Sequence, residues 1–334
     1  MSPYAAVRSS FASLRVWKAL ALATMLAACS SSGSTGPQVA TSLRKVSGDL
    51  QMGAAGSDLT NPLVVQVKDQ SGQPMAGVTV TWAVTAGGGS VSRSSTVTDA
   101  TGVAQVTWTL GSSLGSGAVT AIAAGLPPVT FTATQTAGGI AAIAVVSGDN
   151  QSAVAGTALA APLVAKVTDG GGNPVSGATV TFVSSNGGSF GSATATTNAA
   201  GQAQTIFTAG TGAGTTLVTA TAGASGPSAI FTVNVTPAAA SQIVKVSGDN
   251  QTAAKGTSLP AAFVVKVTDQ YGNTISGKTV TWTTTGGTLS AASTTTDVKG
   301  EARSTLTLPS TTGAQTVTAR VTGLTDVTFT ATGT

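Results

Sequence analysis

The chain has 334 residues, enough for two or three domains of ordinary size. Only 8% of these residues are charged and 4% are aromatic, 42 are glycine, and the chain contains no histidine, one cysteine and one glutamate. This composition excludes Ser-His-Asp and Cys-His catalytic relays, imidazole-based metal sites and a disulfide bond within a single chain.

A secretory signal peptide is predicted at residues 1–28. Three basic residues and no acidic residue precede a nearly unbroken run of small apolar residues at 19–28. This run is too short for a membrane-spanning helix, which needs about 20 apolar residues, and it matches the apolar region of a secretory signal. Its removal takes away three positive charges and lowers the net charge from +4 to +1. Because no basic run remains, we expect no nucleic-acid partner.

The end of the signal peptide resembles the lipobox of bacterial lipoproteins, with the sequence Leu26-Ala27-Ala28-Cys29. The resemblance implies cleavage before Cys29, a diacylglyceryl group on its sulfur and acylation, such as with palmitate, of the new N-terminus. The alternative is an ordinary signal peptide in which Cys29 is incidental. Residues 29–38 are rich in serine and glycine and predict a flexible tether. By resemblance to sorted lipoproteins, Ser30 after the cysteine implies an outer-membrane anchor, and we expect the chain to face the cell surface.

After the tether, the sequence repeats with a period of about 100 residues, which is the size of one domain and too long for a solenoid unit. The string Val-Ser-Gly-Asp occurs at residues 46–49, 146–149 and 246–249. We therefore predict three tandem domains, at residues 39–137, 138–237 and 238–334.

Each repeat shows the two-residue period of β-strands. In the first repeat, Leu63, Val65 and Val67 alternate with the polar residues Gln66 and Lys68. Glycine and asparagine clusters interrupt such runs roughly every 8–12 residues, and no segment after the signal peptide shows a sustained helical period. Roughly seven to nine short strands in each repeat predict an all-β sandwich.

Two strings in each repeat resemble the signatures of bacterial Ig-like domains of the invasin/intimin type, often called Big-1. The first string occurs at residues 67–82, 169–182 and 269–282, and the second at 98–104, 197–203 and 296–302. The resemblance implies three tandem immunoglobulin-like β-sandwiches in an elongated rod displayed at a cell surface. The chain has no counterpart of the receptor-binding lectin-like domain of invasin and intimin, so receptor binding does not follow from the resemblance.

Eight aromatic residues recur in phase with the apolar positions of the strands. We predict that they form the sandwich cores; an exposed strip for stacking sugars is the alternative reading. They are Trp82, Trp108, Phe131, Phe182, Phe207, Phe231, Trp282 and Phe329.

Asp69, Asp169 and Asp269 each open a turn that contains a glycine. Either the carboxylate accepts hydrogen bonds from its own turn or it binds calcium, and we favour the turn because calcium needs six to eight oxygens. A second turn has Asp99 and Asp297 in repeats one and three but an asparagine in repeat two, which also favours a turn over a ligand set.

No catalytic, cofactor or metal site is predicted. Ser42 and Lys45 have the spacing of a Ser-x-x-Lys nucleophile, but that motif needs a helix start and this segment leads into a strand. Glu301 is the chain's single glutamate, and we expect no glycosidase pair around it.

The sequence therefore predicts a non-enzymatic, lipid-anchored stalk in adhesion or surface display. The expected partners are the membrane, through Cys29, and a surface protein or glycan. The alternative is a periplasm-facing envelope scaffold or a carbohydrate-binding accessory protein. We expect the glycine junction after domain 1, at residues 137–139, to hinge more than the proline-containing junction after domain 2.

Overall fold

Three copies of one ten-stranded unit make up residues 40–334. The computed structural model describes residues 37–334, so the predicted signal peptide, Cys29 and most of the tether lie outside the described residues. Residues 40–334 form one compact unit.

Domain 1 contains the strands β1 (Ala40–Ser47), β2 (Gln51–Ala54), β3 (Leu63–Asp69), β4 (Thr79–Ala86), β5 (Gly89–Val91), β6 (Ser95–Val97), β7 (Val103–Val106), β8 (Trp108–Leu110), β9 (Gly115–Ala123) and β10 (Val129–Thr136). Domain 2 contains β11 (Ala142–Ser147), β12 (Gln151–Val154), β13 (Leu163–Thr168), β14 (Thr179–Ser184), β15 (Ser189–Phe190), β16 (Thr194–Thr196), β17 (Gln202–Thr205), β18 (Phe207–Thr208), β19 (Gly214–Ala222) and β20 (Ser228–Thr236). Domain 3 contains β21 (Ala240–Ser247), β22 (Gln251–Ala253), β23 (Phe263–Asp269), β24 (Thr279–Thr284), β25 (Thr288–Leu289), β26 (Ser293–Thr295), β27 (Glu301–Ser304), β28 (Leu306–Thr307), β29 (Gly313–Arg320) and β30 (Val327–Gly333).

Each domain is a sandwich of a three-stranded and a five-stranded sheet. In domain 1 the strand orders are β1-β3-β7 and β2-β10-β9-β4-β6, and the other two domains repeat both orders. All pairings are antiparallel except that of the short second strand with the last strand, β2 with β10 in domain 1. These sheets confirm the prediction of three tandem immunoglobulin-like sandwiches.

The number of strands exceeds the seven to nine expected for each repeat. The additional strands form small two-stranded sheets, such as β5 with β8, in which Val91 lies opposite Trp108. Strands of two or three residues are too short to show a two-residue period, so the sequence pattern did not reveal them.

The two-residue period places one face of each strand in the core. In β3 the residues Leu63, Val65 and Val67 are fully buried, whereas Gln66 and Lys68 on the opposite face are partly exposed. The aromatic residues expected in the cores are all between 0% and 2% exposed: Trp82, Trp108, Phe131, Phe182, Phe207, Phe231, Trp282 and Phe329. Apolar burial of this kind is the main stabilising contribution in a domain without a disulfide bond.

The repeated Val-Ser-Gly-Asp string forms the corner between the first and second strands. Gly48 has a φ of +91°, and a Cβ atom at this position would lie 2.2 Å from the carbonyl oxygen of Pro62. The Asp49 Oδ1 atom accepts hydrogen bonds from the N–H groups of Leu50 at 3.0 Å and Thr132 at 2.9 Å. Glycine therefore lets the corner close, and aspartate joins it to the last strand.

Truncating the Trp82 side chain is expected to destabilise domain 1. The residue is 2% exposed, its indole N–H donates to Thr96 Oγ1 at 2.8 Å, and its ring lies 6.0 Å from that of Phe131. Trp82→Ala should lower the free energy of unfolding by about 3–5 kcal/mol through the cavity that it leaves. Chemical denaturation of the full chain measures this change, with unfolding monitored by a spectroscopic signal that comes from domain 1.

The matched control is Val97→Ala in β6, since that side chain is 60% exposed. This substitution should change the free energy of unfolding by about 0.5 kcal/mol or less. If the two variants unfold alike, Trp82 does not have the core role described here.

Candidate functional site at the turns and domain junctions

The turn that follows the third strand of each domain is organised by a buried aspartate. Asp69, Asp169 and Asp269 are 5%, 5% and 1% exposed. In domain 2, Asp169 Oδ1 accepts the N–H groups of Gly171 at 2.9 Å and Asn173 at 2.8 Å. These bonds confirm the predicted side-chain-capped turn.

The second carboxylate oxygen of this aspartate holds the chain that enters the domain. Gly138 N–H donates to Asp169 Oδ2 at 2.9 Å, and Ala238 N–H donates to Asp269 Oδ2 at 2.8 Å. One buried carboxylate therefore fixes both its own turn and a linker residue 31 positions earlier in the sequence.

Hydrogen bonding keeps the carboxylates of Asp169 and Asp269 charged. At Asp169 the bond from the Gly138 N–H contributes most to a lowered pKa, while burial acts in the opposite direction. At Asp269 burial raises the pKa, but the bonds from the Asn273 side chain and the Ala238 N–H outweigh it, so the pKa is lowered. A carboxylate that accepts several N–H groups is stabilised in its charged form.

An asparagine in the same turn contacts the preceding domain. Asn173 Nδ2 donates to the carbonyl oxygen of Ser112 in domain 1 at 2.7 Å, and Asn273 Nδ2 donates to that of Thr211 in domain 2 at 2.8 Å. The equivalent residue of domain 1 is Gln73. The sequence patterns did not reveal these contacts, although the difference between glutamine in the first copy and asparagine in the later ones is visible in the sequence.

The arrangement suits structural support better than metal binding. Within residues 37–334, no group of three or more histidine, cysteine, aspartate or glutamate side chains lies together. Both oxygens of Asp169 accept backbone N–H groups, whereas calcium takes six to eight oxygen ligands.

The second predicted turn has the same geometry with either acid or amide. Asp99 Oδ1 accepts the N–H groups of Thr101 at 2.8 Å and Val103 at 3.0 Å. Asn198 Oδ1 accepts those of Ala200 at 2.9 Å and Gln202 at 3.0 Å. The interpretation of this position as a turn is confirmed, because an uncharged amide makes the same contacts.

The Ser42-x-x-Lys45 spacing lies on strand β1 rather than at a helix start. Lys45 Nζ donates to the Thr130 carbonyl at 2.7 Å, pairs with Asp49 and lies 5.5 Å from the centre of the Phe131 ring. The lysine thus joins the corner of domain 1 to its last strand.

Domain 3 contains the same lysine–aspartate pair at Lys245 and Asp249, whereas domain 2 has Val145 in place of the lysine. Hydrogen bonds from Lys245 and from the Thr330 N–H lower the pKa of Asp249 to about 2. This carboxylate is therefore charged throughout the physiological pH range.

Surface clefts lie between the open edges of the two sheets. In domain 1 a cleft of about 500 Å³ runs between β6 and β7 and is lined by Arg93, Thr96, Val97 and Gln105. In domain 2 a cleft of about 320 Å³ includes Ser192, Gln204 and Ile206. Each cleft lies beside an edge strand of the three-stranded sheet, β7 in domain 1 and β17 in domain 2.

The family model of the bacterial Ig-like domain (group 1) matches residues 50–137, 143–236 and 242–334. The chain belongs to this family. Its three matches cover most of the chain and coincide with the three repeated sets of sheets. No curated protein matches the chain.

Several solved structures are similar to this chain. The Escherichia coli adhesin FdeC is 20% identical, with 89% of this chain and 99% of that chain covered and a TM-score of 0.48. Invasin, described as a bacterial integrin-binding protein, is 23% identical, with 88% of this chain and 60% of that chain covered and a TM-score of 0.45. Three immunoglobulin domains of titin are 12% identical, with 89% of this chain and 96% of that chain covered and a TM-score of 0.38. At these values the similarity carries no argument about function.

In residues 37–334, no helix has the length and apolar character needed to cross a membrane.

The low pKa of Asp249 makes domain 3 sensitive to acid. In the unfolded chain an aspartate has a pKa of about 3.9. Because the folded value is lower, the stabilisation is complete above about pH 4 and is lost as the pH falls towards 2. The difference in melting temperature between the wild type and Asp249→Asn should therefore be largest near neutral pH and shrink below pH 4.

Lys245→Met tests the cause of this shift, since it removes the hydrogen bond that lowers the pKa of Asp249 most. It should reproduce part of the same pH-dependent loss. A difference from the wild type that stays constant from pH 6 to pH 2 in both variants would contradict this assignment.

Proposed function

We propose that the mature chain is a lipid-anchored, non-enzymatic stalk that acts at the cell surface in adhesion or display. The observation that carries the proposal is the order of its parts: a lipobox-like sequence ending in Cys29, a short tether, and three consecutive domains of the bacterial Ig-like family. In this proposal a lipid lies at one end of the mature chain and the series of folded domains follows it.

The anchor rests on the position of the cysteine. Cys29 is the chain's single cysteine and follows the apolar run where lipoprotein processing requires it. Several acyl chains together give stable membrane attachment, whereas one chain alone gives marginal binding. The serine-rich and glycine-rich residues that follow would keep the first domain clear of the bilayer.

The non-enzymatic role rests on the chemistry that the domains offer. The sequence has no histidine, and the carboxylate oxygens of the turn aspartates accept hydrogen bonds from backbone N–H groups. Side chains committed in this way hold loops in place and are poorly suited to proton transfer. The class of ligand that we propose is a surface protein or a glycan.

Protease treatment of intact cells tests this function. If the domains face outwards, added protease should digest the wild-type chain while a soluble periplasmic marker stays intact. Cys29→Ser should abolish incorporation of labelled palmitate and remove the chain from the membrane fraction, because the variant has no thiol to acylate.

Two results would contradict the proposal. Protection of the chain until the outer membrane is broken would exclude adhesion and favour a periplasmic scaffold. Membrane retention of Cys29→Ser equal to that of the wild type would exclude the lipid anchor.

A further inference from the structure

The two domain junctions differ in one aromatic residue. In domain 3, Tyr271 lies in the turn between Asp269 and Asn273 and packs onto Gly156 of domain 2. A Cβ atom on Gly156 would lie 2.7 Å from the Tyr271 hydroxyl oxygen and 3.3 Å from its Cζ atom. The ring therefore occupies the space above this glycine, whose φ of +77° also disfavours a larger residue.

The equivalent space at the first junction contains no side chain. Gly171 stands where domain 3 has Tyr271, and Gly56 stands where domain 2 has Gly156. A Cβ atom on Gly56 would have no other atom within 4 Å. A cleft of about 310 Å³ lies between the domains here, bordered by Ala55, Gly56, Ser112 and Gly171. An apolar cavity of about 150 Å³ already accommodates benzene, so this cleft has room for an aromatic ring.

The hydrogen bonds from the turn asparagine also connect the domains more extensively at the second junction than at the first. Asn273 bonds domain 2 twice: Nδ2 donates to Thr211 O at 2.8 Å, and Oδ1 accepts the N–H of Ala213 at 2.8 Å. Among the hydrogen bonds of the described residues, Asn173 makes only the first of these contacts, to Ser112 O at 2.7 Å. A single bond permits rotation about its axis, whereas two bonds from one planar amide restrict it.

We propose that the chain bends at the junction between domains 1 and 2 and is held at the junction between domains 2 and 3, with Tyr271 as the residue that makes the difference. Packing of the ring on Gly156 opposes closure of the second junction on that side, and the paired amide bonds of Asn273 oppose rotation. The open cleft at the first junction leaves room for the same closure. The sequence places a glycine linker at the first junction, but the structure assigns the stiffness to the turn of the following domain.

Distance distributions between spin labels at equivalent positions test this inference. Gln105, Gln204 and Arg303 are exposed residues at the same position of β7, β17 and β27. In the full chain carrying Cys29→Ser, cysteines introduced at 105 and 204 report on the first junction, and those at 204 and 303 report on the second. The distribution should be broader for the first pair than for the second.

Exchanging the residue types at positions 171 and 271 should exchange the widths of the two distance distributions. Tyr271→Gly should broaden the 204–303 distribution, whereas Tyr271→Phe should leave it narrow because the ring remains. Gly171→Tyr should narrow the 105–204 distribution. Gly171 has no positive φ, but its new Cβ atom would lie 3.0 Å from Asn173 Nδ2 and 3.2 Å from Ser112 O, so both atoms must shift slightly. The control is Ser71→Tyr, which places the ring in the same turn of domain 1 and should change neither distribution.

The inference is overturned if the two wild-type distributions have equal width, or if Tyr271→Gly leaves the second unchanged in a chain that melts like the wild type. It is also overturned if Ser71→Tyr narrows the first distribution as much as Gly171→Tyr does. None of these outcomes depends on whether the chain is lipid-anchored, so the test is separate from that of the proposed function.

Discussion

The buried aspartate at the end of the third strand is the constraint on which the arrangement of the domains depends. Its first oxygen caps its own turn, and its second oxygen holds the linker that enters the domain, as Asp169 does with Gly138. The capped turn also places an asparagine against the preceding domain, Asn173 in domain 2 and Asn273 in domain 3. A charge that costs free energy to bury is thus stabilised by hydrogen bonds from backbone N–H groups and, at Asp169 and Asp269, from the side-chain amide of the asparagine in the same turn.

Elsewhere the chain depends on backbone geometry and apolar packing more than on charge. Only 8% of its residues are charged, and ion pairs on its surface, such as that of Arg320 with Asp326 at 3.7 Å, are exposed and weakly stabilising. The corners between strands depend instead on close approaches of the backbone. Gly48 lies against Pro62, where any larger residue would clash. The lysine–aspartate pairs of domains 1 and 3 reinforce a corner that domain 2 forms without them.

Most of the fold could be predicted because its signals are local and repeated. The alternation of Leu63, Val65 and Val67 indicated a strand, and the change from aspartate to asparagine at position 198 indicated a turn. The contacts between domains could not be predicted in this way. Tyr271 resembles any exposed turn residue until its distance to Gly156 is known, and the bond from Gly138 to Asp169 depends on the path of a distant linker. The identity of a ligand is not encoded by residues that serve turns and cores.

Hydrogen exchange of the full chain carrying Asp169→Ala tests the central role of the buried carboxylate most directly. The account predicts faster exchange at the amides of Gly138, Gly171 and Asn173, which lose their acceptor, and unchanged protection in the core strands β19 and β20. Unchanged exchange at all three amides would contradict the account. Equal loss of protection throughout domain 2 would also contradict it, since the carboxylate would then support the whole core rather than the turn and the junction.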